Sequence, residues 1–403
     1  MIRRIFTGAA LLWCLFSGVQ PVDGATSGLS AADFFDDTGV HELRLTVHPA
    51  DWDQLRAYYL ENTYYPATFE WNGIKLEDVA FRSRGVGSRS GVKPGLKIDF
   101  NRFEPGREFL GLKAVVLDNM PDTSMMRDRV CMLLFRKMGL PAPRETHARL
   151  IVNGVYAGLY AIVESLDEAF LESRFGDRDG YLYEYDRTEE YWYEYRGSSP
   201  SSYSPHPFKP QTNEFHPDPR PLADLIRVLH QSPNSSFVQD ISRYLDIGSF
   251  LNYLAVETYA SEYDGQLGNW GLNNFYIYRP RNQTTFRFIP WDKDGTFAFP
   301  ERSIWQNADR NVLARRLLAV PELREYYLNA IERCIELAGE ADGWFEQEVQ
   351  YQYEQIRLAA SEDPVRLSSY ADFETGFFQL KGFAAQRARF LRNEILASRV
   401  SPF

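Results

Sequence analysis

Residues 264–294 read DGQLGNWGLNNFYIYRPRNQTTFRFIPWDKD, and how this stretch folds decides how the flanking segments are read. Asn274–Tyr278 (NFYIY) and Thr285–Ile289 (TFRFI) are rich in aromatic and β-branched residues and predict two strands. The hairpin they form returns the chain, so Asp292 comes back beside Asn274 and Asp264. Carboxylate and amide oxygens converging there suit Mg²⁺, a hard cation that takes oxygen ligands. Each aspartate alone has a plainer explanation, Asp264 beginning a turn and Asp294 capping one. Three oxygen-bearing side chains around one hairpin favour the site.

Outward toward the N-terminus the pattern is that of a mostly antiparallel sheet with one inserted helix. His41–Val47 alternates as a strand does. Ala67–Trp71 and Ile74–Arg82 flank Asn72-Gly73, and Arg149–Val152 and Val155–Val163 flank Asn153-Gly154; Asn-Gly suits a two-residue hairpin turn. Leu96–Phe100 and Ala114–Leu117 are further strands, and a helix opens at Pro121 and runs through Met138. Tyr181–Tyr185 closes this lobe, 37–185. Residues 186–221 are dense in Ser, Pro, Tyr and His and are expected to form a surface insertion. Residues 222–403 read as a mainly helical lobe interrupted by the 274–289 hairpin.

Residues 84–97, RGVGSRSGVKPGLK, combine glycines that let backbone approach an anion with Arg84, Arg89, Lys93 and Lys97. Lys97 lies in a strand, where rigid backbone would aim its ammonium. One lobe therefore offers glycines and cations, the other Asp, Asn and Asp. That division matches the parts needed for phosphoryl transfer from a metal–nucleotide complex. The HRD, DFG and VAIK runs of ordinary kinases are absent.

Several classes are excluded. The chain has 403 residues and a formal charge of −11, which argues against a broad nucleic-acid surface. Its six histidines lack metal-ligand spacing, and no GxSxG elbow is present. Residues 1–24, with Arg3, Arg4 and an apolar run, read as a secretory signal peptide followed by a tether, 25–36. No integral membrane segment is expected after its cleavage. Cys131 and Cys334 sit in helix-like segments and read as buried apolar volume, a disulfide between them being the alternative.

In order along the chain, Asp122-x-Ser124-x-x-Arg127, Asn153-Gly154-x-Tyr156-x-Gly158-Leu159-Tyr160-x-x-x-Glu164 and Ile289-Pro290-Trp291-Asp292-x-Asp294 resemble the CotH family of atypical secreted kinases. The resemblance extends over most of the mature chain, including VHELRLTVHPADWDQL (40–55) and FRSRGVGSRSGVKPGLKIDF (81–100). It implies an α+β, diverged bilobal protein-kinase-like fold, with an antiparallel-sheet N-lobe and a helical C-lobe. It implies ATP- and Mg²⁺-dependent (or Mn²⁺-dependent) phosphorylation of Ser or Thr; with the signal peptide, the expected substrate is an exported or cell-surface protein, and the chain is expected to be a secreted monomer. By the same resemblance Asp264 acts on the substrate hydroxyl, and Asp292 and Asn274 hold the metal. Either Lys93 or Lys97 meets the phosphates, with Arg84 and Arg127 around the nucleotide, and Glu164, near the lobe hinge, is structural or orients the nucleotide. Two departures stand out. Arg84-Gly85-Val86-Gly87-Ser88 replaces the family's common RGNSS, and Lys293 replaces an apolar residue. The alternative is a non-catalytic exported assembly or adhesion protein of the same fold. Retention of the acidic and basic groups together favours catalysis.

Overall fold

The computed structural model describes residues 28–400; the expected signal peptide lies outside the described residues. A helical turn, α1 (Ala31–Phe34), precedes β1 (His41–Val47) and α2 (Pro49–Ala57). Next come β2 (Tyr65–Trp71), β3 (Ile74–Ser83), β4 (Leu96–Asp99), β5 (Ala114–Asp118), α3 (Arg127–Lys137), β6 (Glu145–Val152) and β7 (Val155–Glu164). Both Asn-Gly pairs have positive φ, 48° and 79° at 72–73 and 50° and 81° at 153–154, and each joins two strands in antiparallel register.

The expected sheet is in fact a closed barrel, in the order β1-β2-β3-β4-β5-β7-β6. Its seam is β1 against β6, which run parallel with Leu43 opposite Leu150. Alternation puts Leu43, Leu45, Phe69, Phe81, Leu96, Ile98, Val115 and Leu117 inside. Closure removes the edges that an open sheet would leave unpaired. The opposite face of β5 and β7 (Val116, Ala161 and Val163) packs into a second cluster with Val130, Leu134 and Phe135 of α3. That helix begins at Arg127 rather than Pro121, because Asp122 is used in a turn, its Oδ1 accepting from Ser124 N and Oγ at 2.9 and 2.5 Å.

After α4 (Glu168–Phe175) comes β8 (Tyr181–Tyr185). This strand was expected in the first lobe but belongs to a second, four-stranded sheet. That sheet has the order β11-β10-β8-β9, with β9 at Phe208–Pro210, β10 at Phe275–Arg279 and β11 at Arg287–Pro290. Helices α5 (Arg220–Gln231), α6 (Phe237–Ile241) and α7 (Ile247–Tyr259) come between β9 and β10. The described residues close with α8 (Val312–Leu318), α9 (Pro321–Ala338), α10 (Trp344–Glu362), α11 (Tyr370–Lys381) and α12 (Phe383–Val400).

Two further expectations are corrected. The tether contains α1, and Phe34, fully buried, makes edge-on ring contacts with Phe35, Phe69, Trp71 and Phe109 inside the barrel. The 186–221 insertion does not lie wholly on the surface, since Tyr191, Trp192, Tyr193, Tyr203 and Phe208 are buried. Cys131 and Cys334 are free, buried thiols. Among the described residues no helix is long and apolar enough to cross a membrane.

One buried cation fixes the β10–β11 hairpin to α7. Lys293 has no exposed side-chain surface, and its Nζ lies 2.7 Å from Glu257 Oε1, 3.9 Å from Glu262 Oε2 and 2.8 Å from the Asn274 carbonyl. Burial alone would lower its pKa, but Glu257 and Glu262 reverse that and hold it above the ordinary lysine value. The carboxylates are held in turn: Glu257 Oε2 accepts from Gln266 N and Glu262 Oε1 from Asp264 N, both at 2.7 Å. Gly265 and Gly295 make room for them, since a Cβ at either would stand 2.6 Å from a Glu257 or Glu262 oxygen.

Two stability outcomes follow. Phe34→Ala should lower unfolding free energy by about 3–5 kcal/mol, as for other buried aromatic deletions. Denaturant titration would measure it, and a loss under about 1 kcal/mol would restore the simple tether. Lys293→Met should cost about 3–5 kcal/mol by leaving buried carboxylates uncompensated. Adding Glu257→Gln should recover much of that. A double variant no more stable than the single one would show that charge compensation is not what the lysine supplies.

Candidate active site

The loop after α7 and the ends of β10 and β11 meet around Asp264. Its backbone N–H is taken by Glu262, as above. Its Oδ1 accepts from Arg187 Nη1 at 3.1 Å, and its Oδ2 from Asn273 Nδ2 at 3.0 Å and Asn274 Nδ2 at 3.3 Å. Register explains the approach: Phe275 pairs with Pro290, and Trp291 N reaches the Asn274 carbonyl at 3.3 Å. Asn274 and Asp292 both have left-handed backbone, at φ 57° and 51°, so each strand turns sharply as it enters or leaves the site. The Asn274 side-chain oxygen accepts no hydrogen bond among the described residues.

Carboxylates crowd this end of the hairpin. Burial, and then the charge of Asp118, lift Asp292 to about 6 against the pull of Arg84 and Lys293. Asp294 is raised well above its ordinary value by burial and by Asp292, Asp118 and Asp128. Asp128, whose Oδ1 accepts from Lys293 N at 2.7 Å, is raised by burial, Glu145 and Asp292. Burial and Asp118 push Glu145 up to about 8 despite Arg136. Such mutual destabilisation is relieved by a proton or a cation. Asp118, Asp128 and Glu145 were not singled out from the sequence. Asp118 ends an apolar strand, a recognisable signal, whereas Asp128 and Glu145 carry no local mark.

Among the described residues no three His, Cys, Asp or Glu side chains are gathered closely enough to hold a metal ion as they stand. The donor chemistry nevertheless fits Mg²⁺ held by one or two protein oxygens and completed by phosphates and water. Asp292 and the Asn274 amide oxygen are such donors.

The expected cations divide. Arg84 Nη1 is 3.9 Å from Asp118 Oδ2, and its guanidinium lies over the Trp291 ring, 5.3 Å from the centroid. Arg127 Nε stands 3.9 Å from Asp122 Oδ1 and, buried, has no hydrogen-bond partner. Lys97 lies on the outer face of β4, 3.5 Å from Asp99 Oδ2 and partly exposed. Lys93 is fully buried elsewhere, 3.0 Å from Asp363 Oδ2 and beside the Tyr160 ring; burial lowers its pKa although Asp363 opposes that. Arg89 ties the glycine-rich loop down, donating to the carbonyls of Gly85, Tyr59 and Glu61. Glu164 is likewise committed, to Arg144 at 2.6 Å and Arg174 at 2.8 Å. The structure thus puts Asp264 and Asn274 in hydrogen-bond contact, with Asp292 at the end of the same hairpin and within electrostatic reach of Asp264, and Arg84 and Arg127 beside the neighbouring carboxylates. It leaves Lys93 and Glu164 in separate buried ion pairs.

A family model described as CotH kinase protein matches residues 81–391. Inner spore coat protein H of Bacillus subtilis (strain 168) is 25% identical over 366 residues, covering 87% of this chain and 96% of the relative. Among solved structures, the Helicobacter pylori proinflammatory kinase CtkA aligns with a TM-score of 0.35 at 9% identity, over 76% of this chain and 95% of that one. The Golgi casein kinase gives 0.31 at 8% identity, over 91% and 77%. Both structural likenesses are too distant to define the fold. The family match spans well over half of the sequence and includes the Asp264 loop and the hairpin, and the chain belongs to the CotH kinase protein family.

Proposed function

We propose that this chain is a secreted atypical protein kinase of kinase-like bilobal design. It transfers the γ-phosphate of ATP to a Ser or Thr hydroxyl of an exported or cell-surface protein. The observation that carries the reading is the Asp264 carboxylate, held by three side-chain donors next to a hairpin end crowded with carboxylates. Family membership supports kinase chemistry. The substrate class, export and monomeric state rest on the sequence alone.

In this reading Asp292 and the Asn274 side-chain oxygen hold Mg²⁺, which when bound neutralises phosphate charge. Arg84 adds a cation near Asp292. Lys97 is the better candidate of the two lysines for the phosphates, because Lys93 is committed to Asp363. Asp264 orients the acceptor hydroxyl. The hydroxyl oxygen forms a bond to the γ-phosphorus as the bond to the β,γ-bridging oxygen breaks. ADP leaves with that electron pair, and the hydroxyl proton passes to Asp264. A second reading, an exported assembly protein without catalysis, is favoured by the name of the Bacillus relative, a spore coat protein.

Thermal unfolding separates the two. ATP with Mg²⁺ should raise the midpoint where Mg²⁺ alone does not, since ligand binding to the folded state stabilises it. No shift at millimolar ATP would favour the assembly reading. Variants then assign roles. Asp292→Ala should weaken Mg·ATP binding as well as turnover. Asp264→Asn should spare ATP affinity and slow transfer by roughly 10²–10⁴-fold. Labelled-ATP transfer measured beside nucleotide affinity checks both; full activity in Asp264→Asn removes the base assignment, and intact Mg·ATP affinity in Asp292→Ala removes the metal assignment.

A further inference from the structure

We propose that Arg187 is a catalytic residue whose guanidinium bridges the Asp264 carboxylate and the γ-phosphoryl group during transfer; this rests on the kinase reading above. Arg187 follows β8 by two residues, at the start of the segment that the sequence marked only as an insertion. Its Nη1 lies 3.1 Å from Asp264 Oδ1, and about a third of its side chain is exposed, 34%. Among the described residues Asp264 is its one hydrogen-bond partner, so most of the five N–H donors of the guanidinium remain uncommitted.

Asp264 does not need this arginine to stay in place. Its other oxygen takes Asn273 and Asn274, and its backbone is held by Glu262. A cation resting on a general base also weakens that base. The pairing makes chemical sense if the guanidinium is shared with a second anion. Geometry supplies that anion. The acceptor hydroxyl must lie within about 2.6–3.2 Å of an Asp264 oxygen, and the γ-phosphorus about 3–3.5 Å beyond it. A guanidinium touching Oδ1 is then within reach of the equatorial phosphoryl oxygens, where charge is spread in the transition state. None of the other cations named above pairs with Asp264: Arg84 is at Asp118, Arg127 at Asp122, Lys93 at Asp363 and Lys97 at Asp99. Arg187 gives and takes no proton; it donates hydrogen bonds while the hydroxyl proton goes to Asp264.

The test uses the full chain with γ-labelled ATP, the chain itself and water serving as acceptors. Wild type, Arg187→Ala, Arg187→Lys, Asp264→Asn and the Arg187→Ala/Asp264→Asn pair are compared for transfer rate, ATP affinity and thermal midpoint. Arg187→Ala should slow transfer roughly 10²–10³-fold, the usual loss of one transition-state donor. ATP affinity and midpoint should stay close to wild type. Arg187→Lys should recover part of the rate, since an ammonium keeps the charge but not the planar fork. In the Asp264→Asn background the arginine deletion should slow transfer further. No additional loss there would mean that Arg187 acts only through Asp264, and an unimpaired Arg187→Ala would also overturn the inference while leaving the kinase reading intact. A wild-type chain that neither binds ATP nor transfers phosphate overturns both.

Discussion

Everything in the candidate site is referenced to the Lys293 ammonium, enclosed by Glu257, Glu262 and the Asn274 carbonyl. A buried charge is tolerated only with close counter-charges and satisfied hydrogen bonds, so this geometry is narrowly set. Each partner also carries part of the site. Glu262 holds the Asp264 amide, Glu257 the Gln266 amide, and Asn274, the residue before β10, reaches Asp264. Lys293 itself separates Asp292 from Asp294, and its amide binds Asp128 of α3. Where related sequences are expected to carry an apolar residue, this chain has a cation together with two carboxylates that neutralise it. The departure is thus compensated within the same fold.

Beyond that centre the charge is unbalanced. Asp118, Asp128, Glu145, Asp292 and Asp294 come from β5, α3, β6 and the hairpin end, and each raises a neighbour's proton affinity. Arg84 and Arg136 offset part of this. Such a group is a poor way to stabilise a fold and a suitable way to receive a cation that arrives with phosphate. Barrel and helical part supply it jointly, so the site exists only when both are assembled.

Local rules made much of this legible. Asn-Gly turns, alternating strands and the hairpin at 264–294 depend on neighbours in sequence, and they fold as read. The convergence of Asp264, Asn274 and Asp292 was legible for the same reason, because one hairpin brings them together. What escaped depends on distant partners. Nothing in His41–Val47 says that it will pair with β6, or in Tyr181–Tyr185 that it will join β10. Lys93 and Lys97 look alike in sequence; only the arrival of Asp363 distinguishes a buried ion pair from an outward-facing strand lysine. The aromatic-rich 186–221 segment looked like surface because Ser and Pro obscure its buried Tyr and Trp residues.

The Lys93–Asp363 pair has a consequence for the order of assembly. Asp363 sits against β7, where Leu159 N donates to Oδ2 at 3.0 Å and Gly158 leaves space that a side chain would fill. The barrel strands lie between residues 41 and 164, yet buried Lys93 waits for a counter-ion 270 residues further on. A chain emerging N-terminus first can pair its strands early but must leave that lysine hydrated, and the packing around Tyr160 unfinished, until α10 has been made. Contacts so far apart in sequence slow folding. The last part of the barrel to set is therefore governed by a residue that belongs to the other half of the molecule.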